Sequence, residues 1–359
     1  MTPDISAGCV RFFYAHPYIL VSNATIIYLV KEYFNMILSV LLFAVGLVLL
    51  IKGGDWFVDG ATGIAKRFNL PDIVVGATVV SIGTTLPEVM VSTTGALQGS
   101  GAMAYGNAIG SIICNTALIA AISIVCNPGP VNTKSMKTPA LFFFGSAALY
   151  CLASYVLGTF PRWMGFVMLS IFVIYMILTV RNGMKNPDEA EHEEEEDGKK
   201  RTLITELILL VAGAAVIAVG ADLLVEHGQI IAIGLGVPET VVALLFVALG
   251  TSLPELVTTI TSLRSGHASL GVGNVIGANV FNLVLVSGVA VSLAPFDVPC
   301  ENFLLNTGLN MSLVFELPVM LGVMSLMIFP TLASRKLQRW QGILLLGIYL
   351  AFCICQFVL

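Results

Sequence analysis

The chain has 359 residues, 57% of them hydrophobic and 11% charged, with a mean hydropathy of +0.92. Water-soluble domains carry about a quarter of their residues as charges, so this composition excludes a soluble enzyme and reads as a polytopic membrane protein. The net charge of −5 comes from one segment: eight of the 22 acidic residues lie between Asp188 and Asp197, and the rest of the chain is slightly basic. The overall balance therefore points to no nucleic acid or other charged partner. Seven cysteines without a CxxC pair, several inside apolar runs, read as small membrane-helix hydrophobes rather than a zinc or disulfide framework.

In chain order, residues 1–35 hold a short apolar stretch around Tyr18–Val30, broken by Ser22 and Asn23. It lacks the basic flank, core and small-residue cleavage site of a signal peptide, so 1–35 is set apart as an N-terminal leader outside the mechanism. Ten apolar runs follow, at 36–62, 70–97, 104–126, 139–158, 161–181, 203–227, 237–263, 271–294, 311–329 and 340–358. Each is long enough to cross a hydrocarbon core of ~30 Å as a helix. The acidic run NPDEAEHEEEEDGKKR, within a linker at 182–202, separates five spans (36–181) from five more (203–359). Runs of like charge usually remain solvated, and the segment reads as a linker.

Lysine and arginine collect in cytoplasmic loops. With the first span starting outside, the inward loops hold 13 of the 17 basic residues, including Lys66, Arg67, Lys134, Lys137, Arg264 and Arg335. The outward loops hold Arg162 alone. This predicts a multi-pass protein of the cell membrane with both ends outside and the acidic linker in the cytoplasm. An odd number of spans per half makes the second half enter the membrane the opposite way round, the inverted-repeat plan of many secondary transporters.

The halves are related at a constant offset of 167 residues. Gly83-Thr84-Thr85-Leu86-Pro87-Glu88 matches Gly250-Thr251-Ser252-Leu253-Pro254-Glu255. Gly106-Asn107-Ala108-Ile109-Gly110-Ser111 matches Gly273-Asn274-Val275-Ile276-Gly277-Ala278, and Asn115 matches Asn282. Over Gly83–Leu118, 13 of 36 ungapped positions are identical, mostly Gly, Pro, Thr, Asn and Glu. Shared hydrophobicity would have matched Leu and Val instead.

A carboxylate in the middle of a span costs several kcal/mol unless compensated, and here one recurs in both halves. Pro87 and Pro254 lack an N–H, which frees the carbonyls of Gly83 and Gly250 from helix bonding. Such broken helices survive where freed backbone meets protein, water or an ion. Each motif thus gathers a carbonyl, hydroxyls (Thr84 and Thr85, or Thr251 and Ser252) and a carboxylate, with amide oxygens available from Asn115 and Asn282. All are hard oxygen donors, suited to Ca²⁺ or Na⁺ rather than Zn²⁺ or Cu⁺. Gly106, Gly110, Gly273 and Gly277 have the small-xxx-small spacing of close helix contacts and would press the Asn-bearing helices against the Glu-bearing ones. Ser81 reads as a packing hydroxyl, and His192, His227 and His267 as ordinary polar residues.

These paired motifs resemble the two alpha repeats of the cation/calcium antiporter superfamily, whose best-known branch is the sodium/calcium exchangers. The resemblance implies an all-α fold of about ten transmembrane helices in two inverted five-helix repeats, with broken helices at the ion site. It implies that Glu88 and Glu255 are the central Ca²⁺ ligands and also hold Na⁺, with Thr84, Thr251, Thr85, Ser252, Asn115, Asn282 and Ser111 lining the sites. No cofactor is implied, since Ca²⁺ and Na⁺ bind as substrates within the bilayer, and one copy of the chain suffices for transport. Two positions depart from the pattern. Ala278 stands opposite Ser111, and Asn282 stands where the potassium-dependent branch carries Asp, which argues against a K⁺ requirement.

The function expected is Na⁺/Ca²⁺ antiport by alternating access, the first two spans of each half rocking against the others as the resemblance implies. A Ca²⁺/H⁺ exchanger using the same carboxylates is the alternative. A passive channel fits the five-plus-five inversion less well. An intramembrane hydrolase lacks a nucleophile–base arrangement.

Overall fold

A computed structural model describes residues 23–68, 70–185, 202–234, 250–299 and 310–358. These form helices α1 (Asn23–Phe68), α2 (Asp72–Thr84), α3 (Leu86–Leu97), α4 (Gly101–Cys126), α5 (Thr133–Leu157), α6 (Arg162–Met184) and α7 (Leu203–Gly234) in the first part of the chain. Helices α8 (Leu253–Arg264), α9 (Ala268–Leu293), α10 (Ser312–Ser334) and α11 (Arg339–Val358) follow. Among the described residues eight helices are long and apolar enough to cross a membrane, and the bent pair α2–α3 makes a ninth span. Of the seventh expected span, residues 250–263 are described, and they include most of α8. Residues 237–249 of that span lie outside the described residues, as do most of the acidic linker and His192.

Helix α1 starts at Asn23, inside the stretch set apart as a leader. From Asn23 to Val45 there is no Gly or Pro to stop a helix, and backbone hydrogen bonding continues past the point where apolarity fades. The expected breaks fall at the LPE motifs. Between α2 and α3 the axis bends by 46° at Thr85 (φ −86°, ψ 0°), and Ser252 takes the same conformation before α8 (φ −90°, ψ 5°). Proline then opens each new helix, where its missing N–H costs nothing. The hairpins α3–α4 and α8–α9 turn on Gly99 (φ +82°) and Gly266 (φ +81°), matched positions that need the left-handed conformation glycine adopts freely.

Contacts between the halves obey a two-fold relation. A Cβ on Gly46 would lie 2.9 Å from the Gly220 carbonyl oxygen, and one on Gly213 would lie 2.9 Å from that of Gly53. Gly46 and Gly53 are the repeat mates of Gly213 and Gly220, so the antiparallel α1–α7 contact maps onto itself, as a self-complementary interface does. Two short antiparallel bridges behave likewise. β1 (Gly129–Pro130) pairs with β4 (Lys336–Leu337), and β2 (Thr159–Phe160) pairs with β3 (Phe296–Asp297). Each bridge ties one half to the other. Helices α4 and α9 run through the interior, while much of α1, α6 and α11 presents Leu, Ile, Val and Phe outward, as helix faces against lipid do.

The close packing expected of glycines is present in the second half. A Cβ on Gly273 would lie 2.2 Å from the Ile73 carbonyl oxygen, and one on Gly277 would lie 2.6 Å from Ala77 Cα. Helix α9 is thereby pressed onto α2 of the opposite half. The positions that the repeat would set against Gly106 and Gly110 lie outside the described residues.

Candidate functional site

Glu88 and Glu255 sit in the first turns of α3 and α8, directly after the two breaks. Unpaired N–H groups there carry partial positive charge that favours a carboxylate. Both side chains are fully buried, as are Asn115 and Asn282. Thr84, Thr85, Ser252 and Ser111 are buried too, while Thr251, Gly83 and Gly250 are partly buried. Thr85 donates to Glu255 Oε1 at 3.4 Å, which links the break of the first half to the carboxylate of the second. Glu255 also lies close enough to act electrostatically on the Glu88 carboxyl.

Asn115 and Asn282 each open a π-helical turn, Asn115–Ala120 in α4 and Asn282–Val286 in α9. Single π turns of this kind concentrate at functional sites. Gly83 and Gly250 back the site: a Cβ on either would come within 2.9 Å of Phe57 on α1 or Val225 on α7, respectively. The α1–α7 pair therefore lies directly against both breaks.

The arrangement leaves oxygen donors unused. Both oxygens of Glu88, Oε2 of Glu255, the Ser252 hydroxyl and both amide atoms of Asn115 and of Asn282 have no hydrogen-bond partner among the described residues. Buried polar groups are nearly always satisfied, and leaving one unsatisfied costs about 1–3 kcal/mol. A hard cation, which takes its ligands from carboxylate, hydroxyl and amide oxygen, would satisfy the oxygens together. Among the described residues no three His, Cys, Asp or Glu side chains gather at one point.

Sequence reasoning did not assign two residues that the structure places beside this cluster. Asn274 accepts from Thr84 Oγ1 (3.1 Å), and Asn107 accepts from Thr251 Oγ1 (3.3 Å). Their duplication in the motif was the available signal, but the partners cross between halves. Ser81 bonds to the Gly76 carbonyl (2.8 Å) and the Asn274 carbonyl (2.9 Å), in keeping with a packing role. His267 is less ordinary than expected: its Nδ1 lies 2.6 Å from Asp72 Oδ2 on the other half. His227 Nδ1 lies 3.3 Å from Ser39 Oγ, again across halves.

Inverted halves, each with a carboxyl buried in the first helical turn at a Leu-Pro-Glu motif, have the plan of a secondary ion transporter rather than an enzyme. Comparison with known proteins specifies the family. The profile described as "Sodium/calcium exchanger protein" matches residues 38–181 and 205–358. The sodium/calcium exchanger MaX1 of Methanosarcina acetivorans is 29% identical, with 88% of this chain and 98% of the relative aligned. An uncharacterized membrane protein of Methanocaldococcus jannaschii is 34% identical, over 88% of this chain and 97% of its own length. The solved structure of the sodium-calcium exchanger NCX_Mj, soaked with 10 mM Na⁺ and zero Ca²⁺, superimposes with a TM-score of 0.71 at 32% identity, covering 88% of this chain and 98% of that one. The chain belongs to the sodium/calcium exchanger family and is a membrane cation exchanger.

Proposed function

We propose that this protein exchanges Ca²⁺ for Na⁺ by alternating access at the cavity between Glu88 and Glu255. The observation that carries the reading is that two buried carboxyls, together with the buried side chains of Asn115, Asn282 and Ser252, leave their polar oxygens without hydrogen-bond partners among the described residues. With both carboxyls ionised the site has charge −2, which one Ca²⁺ or two Na⁺ neutralise. A dianionic cavity is far costlier to carry past an apolar barrier than a neutral one, so movement is conditional on loading. That condition is what obligatory exchange requires. Asn282, an amide in place of a third carboxylate, supports exchange without K⁺.

Packing narrows the choice of moving part. Helix α2 is pinned to α9 through Gly273 and Gly277, whereas the glycine-rich faces of α1 and α7 form one continuous pair lying over Gly83 and Gly250. In this proposal the α1–α7 pair slides across the breaks, and the second spans stay with the core. The chain is oriented with the acidic linker in the cytoplasm and both ends outside, on the strength of the Lys and Arg distribution.

The test is ⁴⁵Ca²⁺ uptake into proteoliposomes carrying an outward gradient of Na⁺, K⁺ or H⁺. Uptake driven by Na⁺ alone, and abolished in Glu88→Ala and in Glu255→Ala, is expected. Uptake driven by the pH gradient instead would establish Ca²⁺/H⁺ exchange, and full activity in either variant would refute the site.

A further inference from the structure

We propose that Asn274 and Asn107 are positioning residues which draw the hydroxyl protons of Thr84 and Thr251 away from the cavity, so that the threonine oxygens face the cation with free lone pairs. The inference rests on the ion site proposed above. It is carried by two hydrogen-bond chains that hold each asparagine with its amide oxygen toward a threonine.

Thr84 Oγ1 donates to Asn274 Oδ1 (3.1 Å), and Asn274 Nδ2 donates to Thr258 Oγ1 (2.9 Å). Thr258 in turn donates to the carbonyls of Pro254 (2.9 Å) and Glu255 (3.1 Å). Because those carbonyls can only accept, the Thr258 hydroxyl must give its proton to them and receive from Asn274. The amide is thereby held with its oxygen toward Thr84. All three side chains are buried, so water does not scramble the order.

The repeat-related chain runs the other way across the molecule. Thr251 Oγ1 donates to Asn107 Oδ1 (3.3 Å), while Asn107 Nδ2 donates to Ser92 Oγ (2.8 Å) and to the Glu88 carbonyl (3.2 Å). Each asparagine is anchored to the Glu-bearing helix of its own half and orients a threonine of the other half. Hydroxyl oxygen is a cation ligand through its lone pairs, so its proton needs an acceptor elsewhere. Glu255 is the other acceptor beside the Thr84 hydroxyl. Without Asn274 the Thr84 proton turns to that carboxylate, occupies one of its oxygens and points the positive end of the O–H dipole toward the ion. Partners that orient ligands in this way typically contribute 10–100-fold to metal affinity.

Double-mutant cycles on the full chain, read by Ca²⁺ titration calorimetry in detergent, test the proposal. Asn274→Leu is expected to weaken Ca²⁺ binding about tenfold or more, with little further loss when Thr84→Val is added and the full further loss when Thr251→Val is added. Asn107→Leu is expected to show the reverse pairing. Independent, multiplying effects for Asn274 with Thr84 and for Asn107 with Thr251 would overturn it, because a purely structural asparagine couples no more to one threonine than to the other. If Asn274→Leu fails to fold, Asn274→Ala and the Asn107 cycle carry the same test. An unchanged affinity in Thr84→Val alone would count against the proposed ion site itself, a result distinct from the loss of coupling.

Discussion

In the proposed site Glu88 and Glu255 supply buried carboxyls, whereas Asn115 and Asn282 supply amides. The difference is open to a direct change. Asn282→Asp adds a third carboxyl at a site whose neutral donors are otherwise unpaired, and a charged donor is worth about 1.4 kcal/mol more than a neutral one, or tenfold. Ca²⁺ binding by equilibrium dialysis is expected to tighten about tenfold at high pH and to return toward the parent value as the new carboxyl protonates at low pH. An affinity independent of both the substitution and pH would place Asn282 outside the coordination sphere. The carboxylates were legible in the sequence because an intramembrane Glu after Leu-Pro, repeated at one offset, has few physical explanations. The hydrogen bonds of Asn107 and Asn274 were not, since their partners Thr251 and Thr84 belong to the opposite halves.

Among the helices, two local rules and one global one place the site. Pro87 and Pro254 open α3 and α8 just after the turns at Thr85 and Ser252, so a carboxyl lands in a helix first turn each time. Glycine then decides how closely α9 approaches α2. A Cβ on Gly273 has no room against the Ile73 carbonyl at 2.2 Å, whereas one on Gly347 of α11 meets nothing within 4 Å. Gly273→Ala is therefore expected to destabilise the protein by about 1–3 kcal/mol, the usual penalty of overpacking. Gly347→Ala is expected to leave it unchanged or stabilise it by about 0.5–1 kcal/mol. Thermal unfolding in detergent compares them, and equal melting temperatures would mean that α9 does not bear on α2 as described.

Across the whole molecule the inverted repeat puts equivalent parts at opposite ends. The β1–β4 bridge and the β2–β3 bridge are repeat mates, and under the proposed orientation the first is cytoplasmic and the second external. Cys126, exposed just before β1, and a cysteine introduced by Asp297→Cys in β3 report the two ends. With the other cysteines changed to serine, a membrane-impermeant maleimide on intact cells is expected to label the Asp297→Cys protein at once and Cys126 only after permeabilisation. The opposite pattern would reverse the topology. Ion pairing is also unequal between the ends. Arg67 Nε meets the mostly buried Glu206 Oε2 at 3.0 Å near one end of the α1–α7 pair, whereas at the other end the repeat mate of Arg67 is Gly234, and Ser39 lies 3.3 Å from His227 instead. The repeat mate of Glu206 is Ser39, so this inequality is written into side chains that the repeat did not preserve.

Composition and the duplicated motifs determined by themselves that the chain crosses a membrane repeatedly, that its halves are inverted, and which two carboxylates recur after Leu-Pro, because hydropathy, proline chemistry and internal repetition act locally or at one fixed offset along the chain. Where α1 begins, which glycines meet, and that Asp72 pairs with His267 were decided by tertiary structure alone. Each of these depends on which surfaces the two halves present to one another, and an offset within the sequence records what the halves share without recording how they touch.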